Sequence, residues 1–208
     1  SILLKDVAQR HNVRNTTDLY NLATYLLSNF CNPISANELA GELGMSSVAT
    51  TKKFCDYLNE PYLFFYLPRF NNKLKLMNKA PKKVYVVDNG FVQSTAFNLS
   101  ENLGRLLENQ VFVELLRRGY IPGQTLFYYR TRNDKEIDFV TRKGTKVEQL
   151  IQVCYDMTSE KTRKRELDAL VEAAEELHCD NLLVITNTQQ VGVEWRDLTI
   201  NIVSINKF

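Results

Sequence analysis

The 208-residue chain is 44% apolar and 24% charged, so it can bury a core and lacks the composition of a disordered protein. Its formal net charge of +2 is too small to indicate any partner by itself. No apolar run reaches the roughly 20 residues that span a bilayer and no signal peptide is visible, so we expect no membrane partner. The four cysteines are scattered without metal-like spacing, which favours reduced thiols in a cytoplasmic protein.

The first part of the chain predicts a run of helices that leads into a strand. Apolar residues recur at helical spacing through residues 2–31, which predicts two helices. Ser35 and Glu38 have the spacing of a capping box, and the short helix that they begin should end at Gly44. The run "MSS" then begins a further helix, and the aromatic run "YLFFYL" is typical of a strand. This order is that of a winged helix-turn-helix.

A basic stretch follows the predicted helix-turn-helix. The sequence has no Asp or Glu from Pro61 to Val87, and residues 69–83, called here the basic segment, carry six cationic side chains. As a connection between two strands, the basic segment would contact phosphate. The alternative is a solvated loop whose charge keeps a sheet edge soluble. The residues that we predict to contact nucleic acid are Ser47, Thr50, Lys52, Lys53, Arg69, Lys73, Lys75 and Lys79.

The pattern changes after "FNLSENLG", residues 97–104, which predicts two domains, 1–96 and 97–208. An amphipathic helix comes next, followed by three runs typical of strands, "TLFYYR", "EIDFVTR" and "QLIQVCY". Gly144 marks the turn between the second and third runs. A long helix over about residues 160–178 precedes the strand-like runs "NLLVIT" and "TINIVSI". The predicted fold class is therefore α/β (α+β), with the order α-β-β-β-α-β and one further strand.

That order, with Asp138 at the head of the second strand, resembles the restriction-endonuclease-like core known as PD-(D/E)xK. More closely, the chain resembles the C-terminal half of a prokaryotic family of AAA-type ATPases, on "NPISANELAGELGMSS", "KKVYVVDNGF", "GRLLENQVFVELLRRGY", "KEIDFV" and "LIQVCYD". The resemblance implies a winged helix, a nuclease-like domain, and an upstream ATPase domain of the same chain as partner. ATP would bind only to that domain, since the present sequence has no GxxxxGK[ST] loop.

The resemblance also implies a catalytic site, which this sequence matches only in part. It places metal-binding acids at Asp138 and position 152, a lysine at position 154, and a Glu on the preceding helix, here Glu108. If the site were active, Asp138 would bind Mg²⁺ and Glu108 and Gln152 would complete it. Gln152 lacks the expected charge, however, and Cys154 is a soft ligand that suits Mg²⁺ badly. The nuclease-like site is therefore predicted to be degenerate.

Each of these residues also has an ordinary structural explanation. Asp138 could bond backbone amides, Glu108 could be solvated or cap a helix, and Gln152 could be held by hydrogen bonds in the interior. Cys154 has the character of a small core residue.

Three functions are consistent with the sequence. We expect a nucleic-acid-binding C-terminal module of an AAA-type ATPase, with DNA as partner and no catalytic activity in this fragment. The first alternative is an active Mg²⁺-dependent DNA endonuclease. The second is a protein-interaction or assembly domain of the ATPase, and a homo-oligomer is compatible with all three.

Overall fold

The computed structural model describes residues 2–93, 103–188 and 191–208. The first half is mostly helical and contains three short strands. Its elements are α1 (Ile2–Arg10), α2 (Thr16–Ser28), β1 (Pro33–Ile34), α3 (Ala36–Glu42), α4 (Val48–Asn59), β2 (Phe64–Pro68), α5 (Leu74–Lys79), β3 (Lys82–Val86) and α6 (Asn89–Gln93). The three strands form an antiparallel sheet in the order β1-β3-β2, so that β3 is hydrogen-bonded on both edges.

The second half contains a larger, mixed sheet. Its elements are α7 (Leu103–Arg117), β4 (Leu126–Arg130), β5 (Glu136–Lys143), β6 (Lys146–Val153), α8 (Glu160–Leu177), β7 (Leu182–Thr186), β8 (Val193–Trp195), β9 (Leu198–Ser204) and a 3-10 helix at Ile205–Lys207. The sheet order is β4-β5-β6-β7-β9-β8. The predicted order α-β-β-β-α-β is confirmed, and α8 is the crossover that the parallel β6–β7 pair requires. The protein therefore has the predicted mixed α/β class.

The turns and caps near α3 and α4 follow their local sequence. Ser35 accepts a hydrogen bond from the backbone N–H of Glu38, and the Glu38 side chain accepts one from the Ser35 N–H, so the predicted capping box is confirmed. Gly44 follows α3 with a φ of +58°, a conformation that glycine adopts without strain. Ser47 caps α4 by accepting from the Thr50 N–H. The start of α4 is thus fixed by short-range interactions.

The basic segment contains more structure than a connection between strands. It forms α5, because residues 70–80 include no Gly or Pro and the helix begins with Leu, Lys, Leu and Met at 74–77, which favour helix. Leu74 and Leu76 of this helix are exposed. The segment then enters β3, where Lys83 is buried, and so this lysine cannot contact nucleic acid as a member of an exposed basic surface.

Both halves contribute to one apolar core. The ring of Tyr85 on β3 stacks on Phe112 of α7 with 4.0 Å between centroids, and Phe139 of β5 lies 5.7 Å from Tyr85. A second core packs α8 against the large sheet. The predicted boundary between residues 96 and 97 lies outside the described residues. Across the described parts, β3 is held directly against α7 and β5, which brings polar residues of the two halves together.

None of the helices in the described ranges has both the length and the apolar character that crossing a bilayer requires.

Candidate functional site

Three carboxylates from the second half converge on one cation from the first half. Glu136 and Asp138 lie two residues apart on β5, so their side chains leave the same face of the strand. Glu108 approaches from α7. The Nζ atom of Lys83 lies 2.9 Å from Glu108 Oε1, 2.7 Å from Glu136 Oε1 and 2.9 Å from Asp138 Oδ1. We call these four residues the lysine–carboxylate cluster.

The three carboxylates surround the ammonium group of the lysine. Lys83 Nζ donates hydrogen bonds to Glu108 Oε1 and Asp138 Oδ1 and forms an ion pair with Glu136. Its side chain is 1% exposed, so water does not replace any of these partners. Tyr85, two residues along β3, donates its hydroxyl hydrogen to Glu108 Oε1 at 2.7 Å. The tyrosine therefore fixes the carboxylate that α7 contributes.

Burial and the neighbouring charges shift the pKa values of Glu108 and Lys83. Burial raises the pKa of Glu108 to about 7, an effect that Lys83 opposes and Asp138 increases. Burial alone would lower the pKa of Lys83, but Asp138, Glu108 and Glu136 together raise it well above its ordinary value. Three carboxylates face the Lys83 ammonium group, and Arg130 is paired with Glu136 at 3.2 Å, so one excess negative charge remains and a proton retained on Glu108 removes it. The cluster thus favours a charged lysine and a partly protonated Glu108.

Gln152 lies beside Asp138 but outside the cluster. Its Oε1 atom accepts a long hydrogen bond, 3.4 Å, from the Asp138 backbone N–H, and its Nε2 atom donates to Glu166 Oε2 at 2.6 Å. The second oxygen of Asp138, Oδ2, accepts from the Val153 backbone N–H at 2.9 Å. The amide of Gln152 is therefore oriented by the buried Glu166. The Asp138 carboxylate is hydrogen-bonded to the Val153 backbone N–H and to Lys83.

Cys154 follows the end of β6 and is buried. Burial raises the pKa of its thiol to about 11, and its Sγ atom donates to the carbonyl oxygen of Asp156. At neutral pH it is a protonated core thiol, so it supplies neither the charge of a lysine nor a thiolate ligand.

The cluster as built does not fit a divalent cation. Within the described residues, no group of three or more His, Cys, Asp or Glu side chains has the arrangement of a metal site. The point at which the carboxylate oxygens converge is taken by Lys83 Nζ. A divalent ion there would place its charge next to a buried ammonium group, which is strongly unfavourable at short range.

The predicted nucleic-acid residues lie mostly on the exposed surface of the first half. Ser47 caps α4 and Thr50 lies in its first turn, with their hydroxyl oxygens 2.9 Å apart. Lys52 and Lys53 are exposed on the same helix, with Lys53 over the ring of Tyr57.

The residues predicted in the basic segment are in two situations. Arg69 is half-buried, and its guanidinium donates to the carbonyl oxygen of Arg130. Lys73, Lys75 and Lys79 are exposed on or beside α5. Arg69 therefore has a structural contact to the second half, while the lysines face solvent.

A groove of about 690 Å³ lies between α4 and the basic segment. Lys52 of α4 lies on its lining with Lys79 and Lys82, and the apolar part of the lining includes Ile34 and Val84. The structure thus brings Lys52 and Lys79 to one concave surface. We call it the lysine groove.

Sequence reasoning missed Lys83, Tyr85, Glu136 and Glu166 as members or supports of the site. The signal for Glu136 was its two-residue spacing from Asp138 on one strand. The same alternation places Lys83 and Tyr85 on one face of β3, although it does not show that this face is buried.

These observations define a mixed α/β protein with a buried lysine–carboxylate cluster and a surface groove lined by lysines. The chain belongs to the family described as "Domain of unknown function (DUF4143)", whose profile matches residues 103–208. A second profile, "Domain of unknown function (DUF8612)", matches residues 1–102.

The chain is similar to two curated proteins that are much longer. It is 34% identical over 217 residues to "Uncharacterized protein MJ1544" of Methanocaldococcus jannaschii, covering 100% of this chain and 47% of that protein. It is 32% identical over 161 residues to an "Uncharacterized protein" of Haemophilus influenzae, covering 76% of this chain and 39% of that protein. The chain therefore spans less than half the length of either relative.

Among solved structures, the chain is similar to a chain of a Thermococcus gammatolerans assembly of McrB AAA+ hexamers with bound McrC. The sequence identity is 10% and the TM-score is 0.33, with 90% of this chain and 47% of that chain covered. A TM-score this low does not establish a shared fold.

Proposed function

We propose that this chain is a nucleic-acid-binding module in the C-terminal part of an AAA-type ATPase, and that its nuclease-like half does not cut DNA. The lysine groove is the observation that carries the binding proposal. The lysine–carboxylate cluster supports the absence of cleavage. The ATPase domain itself would lie upstream, in the portion of the relatives that this chain does not match.

The arrangement around α4 supports a winged helix-turn-helix. Helices α3 and α4 are joined by a short turn at Gly44, and α4 is followed by β2 and β3 of the small antiparallel sheet. In such modules the second helix of the pair enters the major groove and its first residues contact base edges. Here those residues are Ser47 and Thr50, whose hydroxyl groups suit base or phosphate contacts.

The charge of the lysine groove supports an anionic partner. Lys52 belongs to α4, whereas Lys79 and Lys82 come from the end of α5 and the start of β3. Asp56 is the acidic residue in the groove lining. The three lysines line one groove, so we expect them to contact phosphates there, and such contacts release counterions and strengthen binding at low salt.

The lysine–carboxylate cluster supports the proposal that the second half does not cleave DNA. A metal-dependent nuclease needs a cation with open coordination positions that activates water. Lys83 instead presents an ammonium group that is already paired with three carboxylates. Cys154 also cannot supply the positive charge that the lysine at this position provides in the nuclease pattern.

Replacing both Lys52 and Lys79 with alanine should weaken binding to a short DNA duplex by roughly tenfold, since two phosphate contacts are lost. The slope of log affinity against log salt should become shallower by about 2. Fluorescence anisotropy of a labelled duplex at several salt concentrations measures both quantities. The matched control is Lys143→Ala with Lys146→Ala, which removes the same charge from exposed positions outside the groove.

Equal losses in the two double variants would show that only net charge matters and would contradict a specific groove. Absence of any salt-dependent binding by the wild type would refute the nucleic-acid proposal. Mg²⁺-dependent plasmid cleavage that is abolished by Asp138→Asn would refute the proposal that the nuclease-like half is inactive.

A second candidate function, assembly with a protein partner, is favoured by the exposed side chains of α5. Leu74 is 65% exposed and Leu76 is 49% exposed, beside the basic residues of the same short helix. Replacing both leucines with serine should reduce association with the ATPase portion in sedimentation experiments and leave DNA affinity unchanged. Unchanged association would remove the support for this candidate.

A further inference from the structure

We propose that the ammonium group of Lys83 is the permanent resident cation of a carboxylate site that would bind a divalent metal ion if the lysine were removed. The inference extends the proposed absence of cleavage and does not depend on nucleic-acid binding. It assigns to Lys83 a role that the sequence pattern did not give it, the replacement of a metal ion by a side chain from the other half of the chain.

The first support is that these carboxylates already bind a cation. The oxygens of Glu108, Glu136 and Asp138 all point at one centre at 2.7–2.9 Å, and they come from α7 and β5, not from one flexible surface loop. An ordinary acidic patch spreads its charges apart in solvent, whereas this one is gathered around a single atom.

The second support is the small movement that a metal would need. Mg²⁺ and Mn²⁺ bind carboxylate oxygens at about 2.1 Å. Each oxygen would therefore move inward by about 0.7 Å after loss of the ammonium group. Glu108 and Glu136 have flexible side chains that can make this adjustment, and water can complete the coordination. Distances of 2.7–2.9 Å between Lys83 Nζ and the carboxylate oxygens suit an ammonium group and are too long for these metal ions.

The third support is the position of Lys83 in its sheet. β3 is the central strand, and Lys83 is paired with Pro33 of β1 on one edge and Leu67 of β2 on the other. Tyr85 on the same strand is stacked against Phe112. The Lys83 side chain is 1% exposed, so it reaches solvent only if β3 itself moves, which would disrupt both strand pairings and this ring contact. The ammonium group is therefore a fixed component of the site and not a gate that opens to admit metal.

The experiment measures Mn²⁺ binding in solution by electron paramagnetic resonance, without DNA. Wild type should bind no Mn²⁺ that depends on Asp138. Lys83→Ala should bind one Mn²⁺ at least about tenfold more tightly than wild type, because a repelling charge is gone and room for the ion is created. Lys83→Ala combined with Asp138→Asn should lose that binding. Lys82→Ala, an exposed neighbour on β3, should behave like wild type.

Loss of Lys83 removes the cation of Glu108 and Asp138 and leaves only Arg130 beside Glu136, so the single variant carries uncompensated buried charge that favours unfolding. A second variant, Lys83→Ala with Glu108→Gln, retains Glu136 and Asp138 and has one fewer buried charge. In both variants Mn²⁺ should raise the thermal unfolding temperature, while wild type and Lys82→Ala should show no shift. The proposal is overturned if Mn²⁺ neither binds nor stabilises either variant. It is also overturned if wild type binds Mn²⁺ in a manner that Asp138→Asn abolishes.

Discussion

Replacing Lys83 with methionine should destabilise the protein by about 3–5 kcal/mol, which is the usual cost of removing one partner from a buried ion pair. Methionine retains most of the volume of the lysine stem, so the effect comes from charge and not from a cavity. Three carboxylates would remain near one another with no ammonium donor. Equilibrium urea unfolding, followed by far-UV circular dichroism, measures the change in the free energy of unfolding.

The matched control for this variant is Lys82→Met. Lys82 is the adjacent residue on the same strand and is exposed, so its replacement should change stability by less than about 0.5 kcal/mol. Neutralising the carboxylates in the Lys83→Met background, with Glu108→Gln, Glu136→Gln and Asp138→Asn, should recover part of the lost stability. Similar effects of Lys82→Met and Lys83→Met would contradict the assignment of Lys83 as the cation of the cluster.

The features that the sequence predicted correctly depend on short-range interactions. The capping box joins Ser35 to Glu38, three residues away, and Gly144 occupies the turn between β5 and β6 with a φ of +61°. The long helix was recognised because its apolar face repeats with helical period over five turns. In each case the information lies within a single turn or a single helix, and distant parts of the chain do not alter it.

The centre of the candidate site depends on contacts between distant residues. Lys83 is 25 positions from Glu108 and 55 positions from Asp138. The sequence indicated a basic stretch, and a lysine in such a stretch is normally solvated. Whether Lys83 points to water or to carboxylates is decided by the packing of β3 against α7 and β5. No local pattern contains that packing, so the lysine was assigned to the wrong environment.

Glu108→Gln should become progressively more stable relative to wild type as the pH rises from 5 to 8. In the folded protein the pKa of Glu108 is raised to about 7 from its ordinary value of 4.5. Between these values the folded state binds more protons than the unfolded state, so wild-type stability falls as the pH rises through about 7. This rise in the pKa of Glu108 on folding corresponds to a loss of about 3 kcal/mol in the free energy of unfolding. Glutamine does not titrate, so the variant does not lose stability in this way as the pH rises.

The substitution retains the oxygen that Lys83 and Tyr85 contact, since the amide of glutamine also has an acceptor oxygen. Urea unfolding of both proteins at each pH should give similar stabilities near pH 5 and diverging stabilities toward pH 8.

Glu114→Gln is the control on the same helix. Hydrogen bonds from Arg117 and Arg118 lower the pKa of Glu114 to about 2, so its difference from wild type should stay flat over this range. Parallel pH profiles for wild type and Glu108→Gln would mean that Glu108 carries no excess of buried negative charge. Lys83, together with Arg130 beside Glu136, would then hold all three carboxylates in their ionised form.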